Sequence, residues 1–515
     1  MGPLILCGLF LFCRPSESGL FRTQLSALPL EKVLPLHLTI YMRAPISSVL
    51  VLVLLRVSFG QAPSSSASSR SISAQLKSEL IALRDAALAD DYAYEQAAYL
   101  TDNIGPRPGG SLAAEAAVQY VAQELRRLGL QVQLEEVKVP HWIRGVERAE
   151  LVEYAGQAQG TTQNIVLTAL GGTVPTPPAG ITAGIVVAKT FAGLKQLGRE
   201  AVSGKIVLFN VPFDKQKAAN GMAGEAYGEA VAYRASGPKA AAELGAVACL
   251  VRSVGGADYR LPHTGWSAPA GIPAAAVTSE DADLIARLAA QGEVRMHLTL
   301  TSQTGPDSTS YNVIGDLKGS DHPEQVVVLS GHLDSWDLGT GAMDDAVGVA
   351  EAMDAVHLIQ QLHLHPRRTI RIVAWMDEEN GGRGHDVYAK NHAREIVNHV
   401  AAIESDLGAS RPLGFQAEMN PNALPLLRPV QDVLDSFGAN LIRLISRSPG
   451  ADIAPLAEAG VPALGLLEDS RIYFNYHHTA ADTLDKIVPQ ELRENASALA
   501  VMGYALATMP EVLPR

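Results

Sequence analysis

The chain has 515 residues, 47% of them apolar and 18% charged, so it can bury a large core and wholesale disorder is excluded. At about 100–200 residues per domain, this length predicts several domains. Lys and Arg number 41 against 54 Asp and Glu, and the net charge of −13 has the wrong sign for nucleic-acid binding, which needs a positive surface.

The N-terminus holds two short apolar runs. Met42 and Arg43 precede the run Val49–Leu55, which leads into the small residues around Ser58–Ala62. A basic start, a short apolar stretch and small residues make an export signal. Translation is therefore expected to start at Met42, with residues 1–41 an upstream over-extension, and the protein is expected to be exported, periplasmic or extracellular. Neither run reaches the roughly 20 apolar residues that span a bilayer. No cysteine follows the second run, so no membrane anchor is expected. Ser64–Ser73 reads as a flexible linker.

Helical periodicity follows in Ile72–Leu88 and Ser111–Leu128, and strand patterns in Gln131–Val139 and Ala149–Tyr154. From about residue 163 the texture changes. Short apolar runs (Gly184–Lys189, Lys205–Asn210, Ala246–Arg252) alternate with Gly, Pro and Ala-rich links, and few helices are expected. The chain is accordingly divided into 1–61, 62–162, an inserted domain at 163–301, and 302–515. Cys249 lies in an apolar run and reads as a small core residue; Cys7, Cys13 and Cys249 cannot make a disulfide framework. Beyond Thr304–Ser308, strands (Gln325–Ser330, Thr369–Met376, Val400–Ile403) alternate with helices (Val347–Gln361, His385–Val397, Leu492–Ala507). Such alternation predicts an α/β fold with a mostly parallel sheet flanked by helices. Ligands of such sheets sit beyond the carboxyl ends of the strands.

The unusual residues lie there. His332 and Asp334 follow the first of these strands, and Asp344-Asp345 comes twelve residues after His332. Asp377, Glu378 and Glu379 follow the second strand, and Glu404, Ser405 and Asp406 follow the third. His477 and His478 come far downstream, with Asp482 after them. Singly, each has an ordinary reading: Asp344-Asp345 as a helix cap, Glu378-Glu379 as solvated charge, Asp406 as a turn residue. Together, so many carboxylates in one cleft would repel one another unless a cation compensates them. Histidine with carboxylate and no thiolate suits catalytic zinc. Two histidines and three carboxylates supply two zinc ions when one carboxylate bridges, and paired metals serve hydrolysis. No Gly-x-Ser-x-Gly, Walker A or His-Glu-x-x-His sequence is present.

The run PEQVVVLSGHLDSWDLGTGAMDD (323–345), with DNIGPRPGGS (102–111), GITAGIVV (180–187), SGKIVLFN (203–210) and the segment Glu404–Asp406, resembles the co-catalytic zinc exopeptidases that include bacterial aminopeptidases and the glutamate carboxypeptidases. The resemblance implies that the insert is a β-rich protease-associated domain. It implies His332 as first zinc ligand, Asp344 as bridging carboxylate, Glu379 and Asp406 as ligands of one zinc each, and His478 as the last ligand, with His477 the wrong-register rival. Glu378 is implied as the general base, and Asp334 as the carboxylate that orients His332. The function expected is an exported di-zinc exopeptidase that cleaves short unblocked peptides, dipeptides above all, as a homodimer. An aminopeptidase of the same family is the near alternative. A non-catalytic binding module and a single-zinc transferase of related fold are the distant ones. Asp452 and Arg383 are candidates for reading a substrate's free amine and free carboxylate.

Overall fold

The structure, a computed structural model, describes residues 72–515; the expected export signal, the start at Met42 and most of the Ser-rich linker lie outside the described residues. Helix Ala74–Ala87 opens this part, and Ser73 caps it by accepting from the Leu76 amide at 3.1 Å. Helix Leu112–Arg127 is capped in the same way by Ser111. Among the described residues no helix is long and apolar enough to cross a membrane.

One eight-stranded sheet carries the residues singled out from the sequence. Its order is Gln131–Val139, Ser308–Leu317, Arg368–Trp375, His322–His332, His399–Glu404, Ala463–Glu468, Pro412–Glu418 and Leu441–Leu444. The four central strands run parallel, and antiparallel neighbours flank them on both sides. The sheet is thus mixed, with the expected parallel order confined to its centre. Alternation along the central strands feeds two cores. Val327, Leu329, Ile370 and Ile372 pack under the helices Ala74–Ala87, Val347–Gln361 and Pro489–Thr508, while Val326, Val328, Val373 and Trp375 pack with Tyr388 and Leu456 on the other face. Burial on both faces explains why these strands read as nearly continuous apolar runs.

A second eight-stranded sheet is built from residues 147–300. It corrects the sequence reading in two ways. Its second strand is Glu147–Glu153, so the sheet begins upstream of residue 163, and the short strands Trp142–Ile143 and Gln303–Thr304 pair where the chain enters and leaves it. It is also not poor in helices: Phe191–Val202, Ala223–Glu243 and Ser279–Ala289 accompany a parallel centre of four strands. Alanine, the best helix former, builds Ala223–Glu243 without a strong apolar stripe, which is why the segment read as a link. Cys249 is fully buried in this part, and burial pushes its thiol well up.

Candidate metal centre

His332 ends its strand, and its backbone amide donates to Asp345 Oδ2 at 2.9 Å. Asp345 Oδ1 accepts from the Gly348 amide at 3.0 Å, in the first turn of the helix Val347–Gln361, while its neighbour Asp344 lines the cleft. This fit requires glycine: a Cβ on Gly348 would lie 2.1 Å from the Ser405 carbonyl oxygen. The loop before Asp344 is pinned twice. Asp482 Oδ1 accepts from the amides of Ala342 and Met343 at 3.0 and 2.7 Å. The fully buried Arg107, from the DNIGPRPGGS motif, donates to the carbonyls of Leu333, Thr340 and Gly341 at 2.8, 2.7 and 2.8 Å. Sequence reasoning gave Arg107 no role in the site, since its carbonyl partners at Leu333, Thr340 and Gly341 are brought near by topology alone.

The structure brings the expected ligands together. His332 Nε2 lies 3.0 Å from Asp344 Oδ1 and 3.4 Å from Asp406 Oδ1. His478 Nε2 lies 3.2 Å from Asp344 Oδ2 and 2.9 Å from Glu379 Oε2. Asp344 therefore stands between two groups, with His332 and Asp406 on one side and His478 and Glu379 on the other. His477 Nε2 stands 3.5 Å from Asp344 Oδ2, and its Nδ1 is 3.0 Å from His263 Nε2. Glu378, half-buried, lines the same cavity of about 490 Å³ together with Asp344, Glu379, Asp406 and His478. Tyr227, Arg234 and Trp266 from the second-sheet region complete the wall.

One expected role changes. His332 Nδ1 faces the main-chain carbonyl of Asp334 at 2.9 Å, and the Asp334 carboxylate is 3.9 Å away. That carboxylate instead accepts from the amides of Asp377 and Glu378 at 2.8 and 3.2 Å. The two candidate terminus readers both have partners of their own. Arg383 is paired with Asp307 at 2.8 Å and with the Lys138 carbonyl, outside the cavity. Asp452 is buried and contacts His385 Nδ1 at 3.1 Å. Arg447, which the sequence reading passed over, is an exposed cation on the cavity wall with no ion pair among the described residues.

The electrostatics fit a cation. Asp344 Oδ2 and Glu379 Oε1 are buried without a hydrogen-bond donor. Burial and the neighbouring carboxylates push Asp406 up to about 6 and Glu378 well above its ordinary range. Burial works against a charged His478, yet Glu379 and Asp344 hold it up to about 9. The raised Asp406, Glu378 and His478 mark a carboxylate-rich cluster whose repulsion a divalent ion would relieve. Neutral imidazole and carboxylate donors are those that suit zinc.

A family model described as peptidase family M28 matches residues 312–502. The chain is 39% identical over 434 residues to carboxypeptidase Q of Xenopus laevis, covering 83% of this chain and 88% of that protein. It is 38% identical over 433 residues to carboxypeptidase Q of Homo sapiens, with the same coverage of 83% and 88%. Among solved structures it is similar to a peptidase M28 precursor from Shewanella amazonensis SB2B, at TM-score 0.80 and 35% identity over 86% of this chain and 98% of that one. Fold and site together define a zinc-dependent exopeptidase. The chain belongs to peptidase family M28.

Proposed function

We propose that the protein is a di-zinc exopeptidase that hydrolyses short peptides with free ends, dipeptides above all, outside the cytoplasm. The observation that carries this reading is the double convergence on Asp344. His332 and Asp406 would hold one zinc, His478 and Glu379 the other, and Asp344 would bridge them. Bound zinc supplies Lewis acidity to water and to the scissile carbonyl. Glu378, on the cavity wall and tied to no metal-facing partner, takes the proton of the attacking water and returns it to the leaving amine. Its backbone is fixed by the Asp334 carboxylate, which accepts from the Glu378 amide at 3.2 Å.

The second sheet is read as a lid of the protease-associated kind, since Tyr227, Arg234 and Trp266 overhang the metal residues. A cavity of about 490 Å³ suits a dipeptide better than a folded chain. Arg447 offers a cation to a free carboxylate at its wall. The test is hydrolysis of one dipeptide with free, N-acetylated and C-amidated ends, with zinc measured on the same sample. Indifference to amidation makes the enzyme an aminopeptidase, and efficient cleavage inside long peptides removes the exopeptidase reading. Glu378→Gln should keep its zinc and lose at least about a hundredfold in turnover, the scale of general-base loss.

A further inference from the structure

Two adjacent histidines reach Asp344, and their other nitrogens face different partners. These partners fix which nitrogen of each ring carries the proton, because a neutral imidazole has one donor and one acceptor.

For His478 the proton count closes on Nδ1. Its Nδ1 lies 3.3 Å from the Thr264 carbonyl, which can only accept. Arg234 Nη1 is also near, at 3.2 Å, but it has two oxygen acceptors for its two hydrogens, the Tyr227 hydroxyl at 2.8 Å and the Thr264 carbonyl at 3.2 Å. The His478 Nδ1–H therefore donates to Thr264, and the Nε2 lone pair is turned to Asp344 and Glu379, where a metal ligand must present it. The Thr264 amide donates to the His478 carbonyl at 2.9 Å, so the same residue fixes both the ring and the backbone of His478.

For His477 the count closes the other way. Its Nδ1 is 3.0 Å from His263 Nε2, and one proton lies between them. The remaining nitrogen of His263, Nδ1, is buried with no partner. A buried N–H left without an acceptor is rarer than a buried acceptor left without a donor. The His263 proton therefore sits on Nε2 and is donated to His477 Nδ1. His477 then carries its own proton on Nε2. That nitrogen stands 3.5 Å from Asp344 Oδ2, and the His477 side chain lines the cavity. An imidazole protonated there cannot ligate a metal, but it can donate.

We propose that His477 is a catalytic hydrogen-bond donor, its Nε2–H directed at the carbonyl oxygen of the scissile bond, and that His263 is a positioning residue that sets this tautomer from the second-sheet region. The proposal rests on the exopeptidase reading and deepens it. As water adds to the carbonyl carbon, the carbonyl oxygen takes up negative charge and His477 Nε2–H donates to it; the His477 proton is not transferred. Pre-placed donors of this kind act on the transition state more than on the bound substrate. The arrangement also gives the second sheet a part in the chemistry, since Thr264 and His263 select opposite tautomers in neighbouring rings.

The experiment uses the full zinc-loaded chain. Nitrogen-15 histidine NMR, assigned by comparison with His477→Phe, reads which His477 nitrogen bears the proton, without substrate. The expected result is Nε2 in the wild type and a shift of population toward Nδ1 in His263→Phe. With the unblocked dipeptide the wild type turns over fastest, His477→Phe should lower kcat by about 100- to 1,000-fold, with KM little changed and zinc content unaltered. His477→Gln, which keeps an N–H donor, should recover a large part of kcat. His263→Phe should lower kcat by less, and His263→Gln should restore it. A His477 proton on Nδ1 in the wild type overturns the proposal, as does a zinc-replete His477→Phe with wild-type kcat. Loss of one zinc equivalent in His477→Phe overturns it too, making His477 a ligand. A wild type that cleaves no peptide refutes the exopeptidase reading instead, and the NMR result still decides the tautomer.

Discussion

Asp334 holds His332 with its main-chain carbonyl, 2.9 Å from Nδ1, and holds the turn Asp377–Glu378 with its side chain, which accepts from the amides of both residues. One residue thus contacts the ring of His332 and the turn that carries Glu378, the proposed base, through different atoms. Asp334→Asn keeps the carbonyl and one side-chain acceptor. Its zinc affinity, measured by competition with a chromophoric chelator, should change by less than about tenfold. Asp334→Ala should keep zinc and lose kcat, because the turn carrying Glu378 is released. A loss of about 10- to 100-fold in zinc affinity in the Asn variant would show that the carboxylate itself orients His332.

Arg107 ties the early part of the chain to the loops of the site. Its guanidinium is fully buried among the carbonyls of Leu100, Gly105, Leu333, Thr340 and Gly341. Lysine offers three donors on a point charge and cannot reproduce this fork. Arg107→Met should cost about 3–5 kcal/mol, the scale for breaking a buried charge network. Arg107→Lys should recover only part of it. Chemical denaturation of the zinc-loaded protein measures both, and a change below about 1 kcal/mol in Arg107→Met would refute the tethering role.

These residues also show where the sequence was legible. His332, Glu378, Glu379 and Asp406 were readable because each follows an apolar strand in a parallel centre, so chain order alone puts them at one edge. Arg107 stood in a recognised motif, yet its five carbonyl partners come from three separated segments. His478 was preferred to His477 on its register with Thr479 and Asp482, but the contacts of their rings with Thr264 and His263, more than 200 residues upstream, are encoded by no local pattern. The strands Ser308–Leu317 and Pro412–Glu418, each one in from an edge of the sheet, went unread because their burial alternates less regularly. Arg371 is a charge inside a buried strand, and its partner Asp316 sits directly across on the antiparallel neighbour.

That pair predicts a pH dependence of stability away from the metal centre. Asp316 accepts from Arg371 Nε and Nη2 at 2.7 and 2.9 Å, and both side chains are largely buried. Burial opposes the Asp316 charge, but Arg371, with Lys318, outweighs it and holds the carboxyl below its ordinary value. A carboxyl with a depressed folded pKa stabilises the fold above its unfolded value, about 3.9, and that stability is lost as pH falls through the folded pKa. Asp316→Asn should therefore destabilise most near pH 6–7, by about 3–5 kcal/mol. The gap to the wild type should narrow below about pH 4. Urea melts across that range check this, and a gap that does not narrow in acid would show that the pair contributes through packing alone.

Arg447 gives the sharpest test of substrate polarity. It lies on the wall of the cavity that Asp406 also lines, and no acid among the described residues is paired with it. Arg234, the other guanidinium of the wall, is already engaged by Tyr227 and Thr264. A dipeptide bound with its scissile carbonyl at the metal residues has a free carboxylate within one residue, and Arg447 is the free cation there to meet it. A hydrogen bond to a charged group contributes about 1.5–3 kcal/mol, so Arg447→Met should lower kcat/KM for a free dipeptide by about 10- to 150-fold. The same change on a C-amidated dipeptide should be near unity, because the contact is then missing in both enzymes. The four values form a double-mutant cycle between Arg447 and the carboxylate. Equal losses on both substrates would mean that Arg447 acts through the cavity wall and not on the terminus. A loss confined to the amidated substrate would place the carboxylate elsewhere.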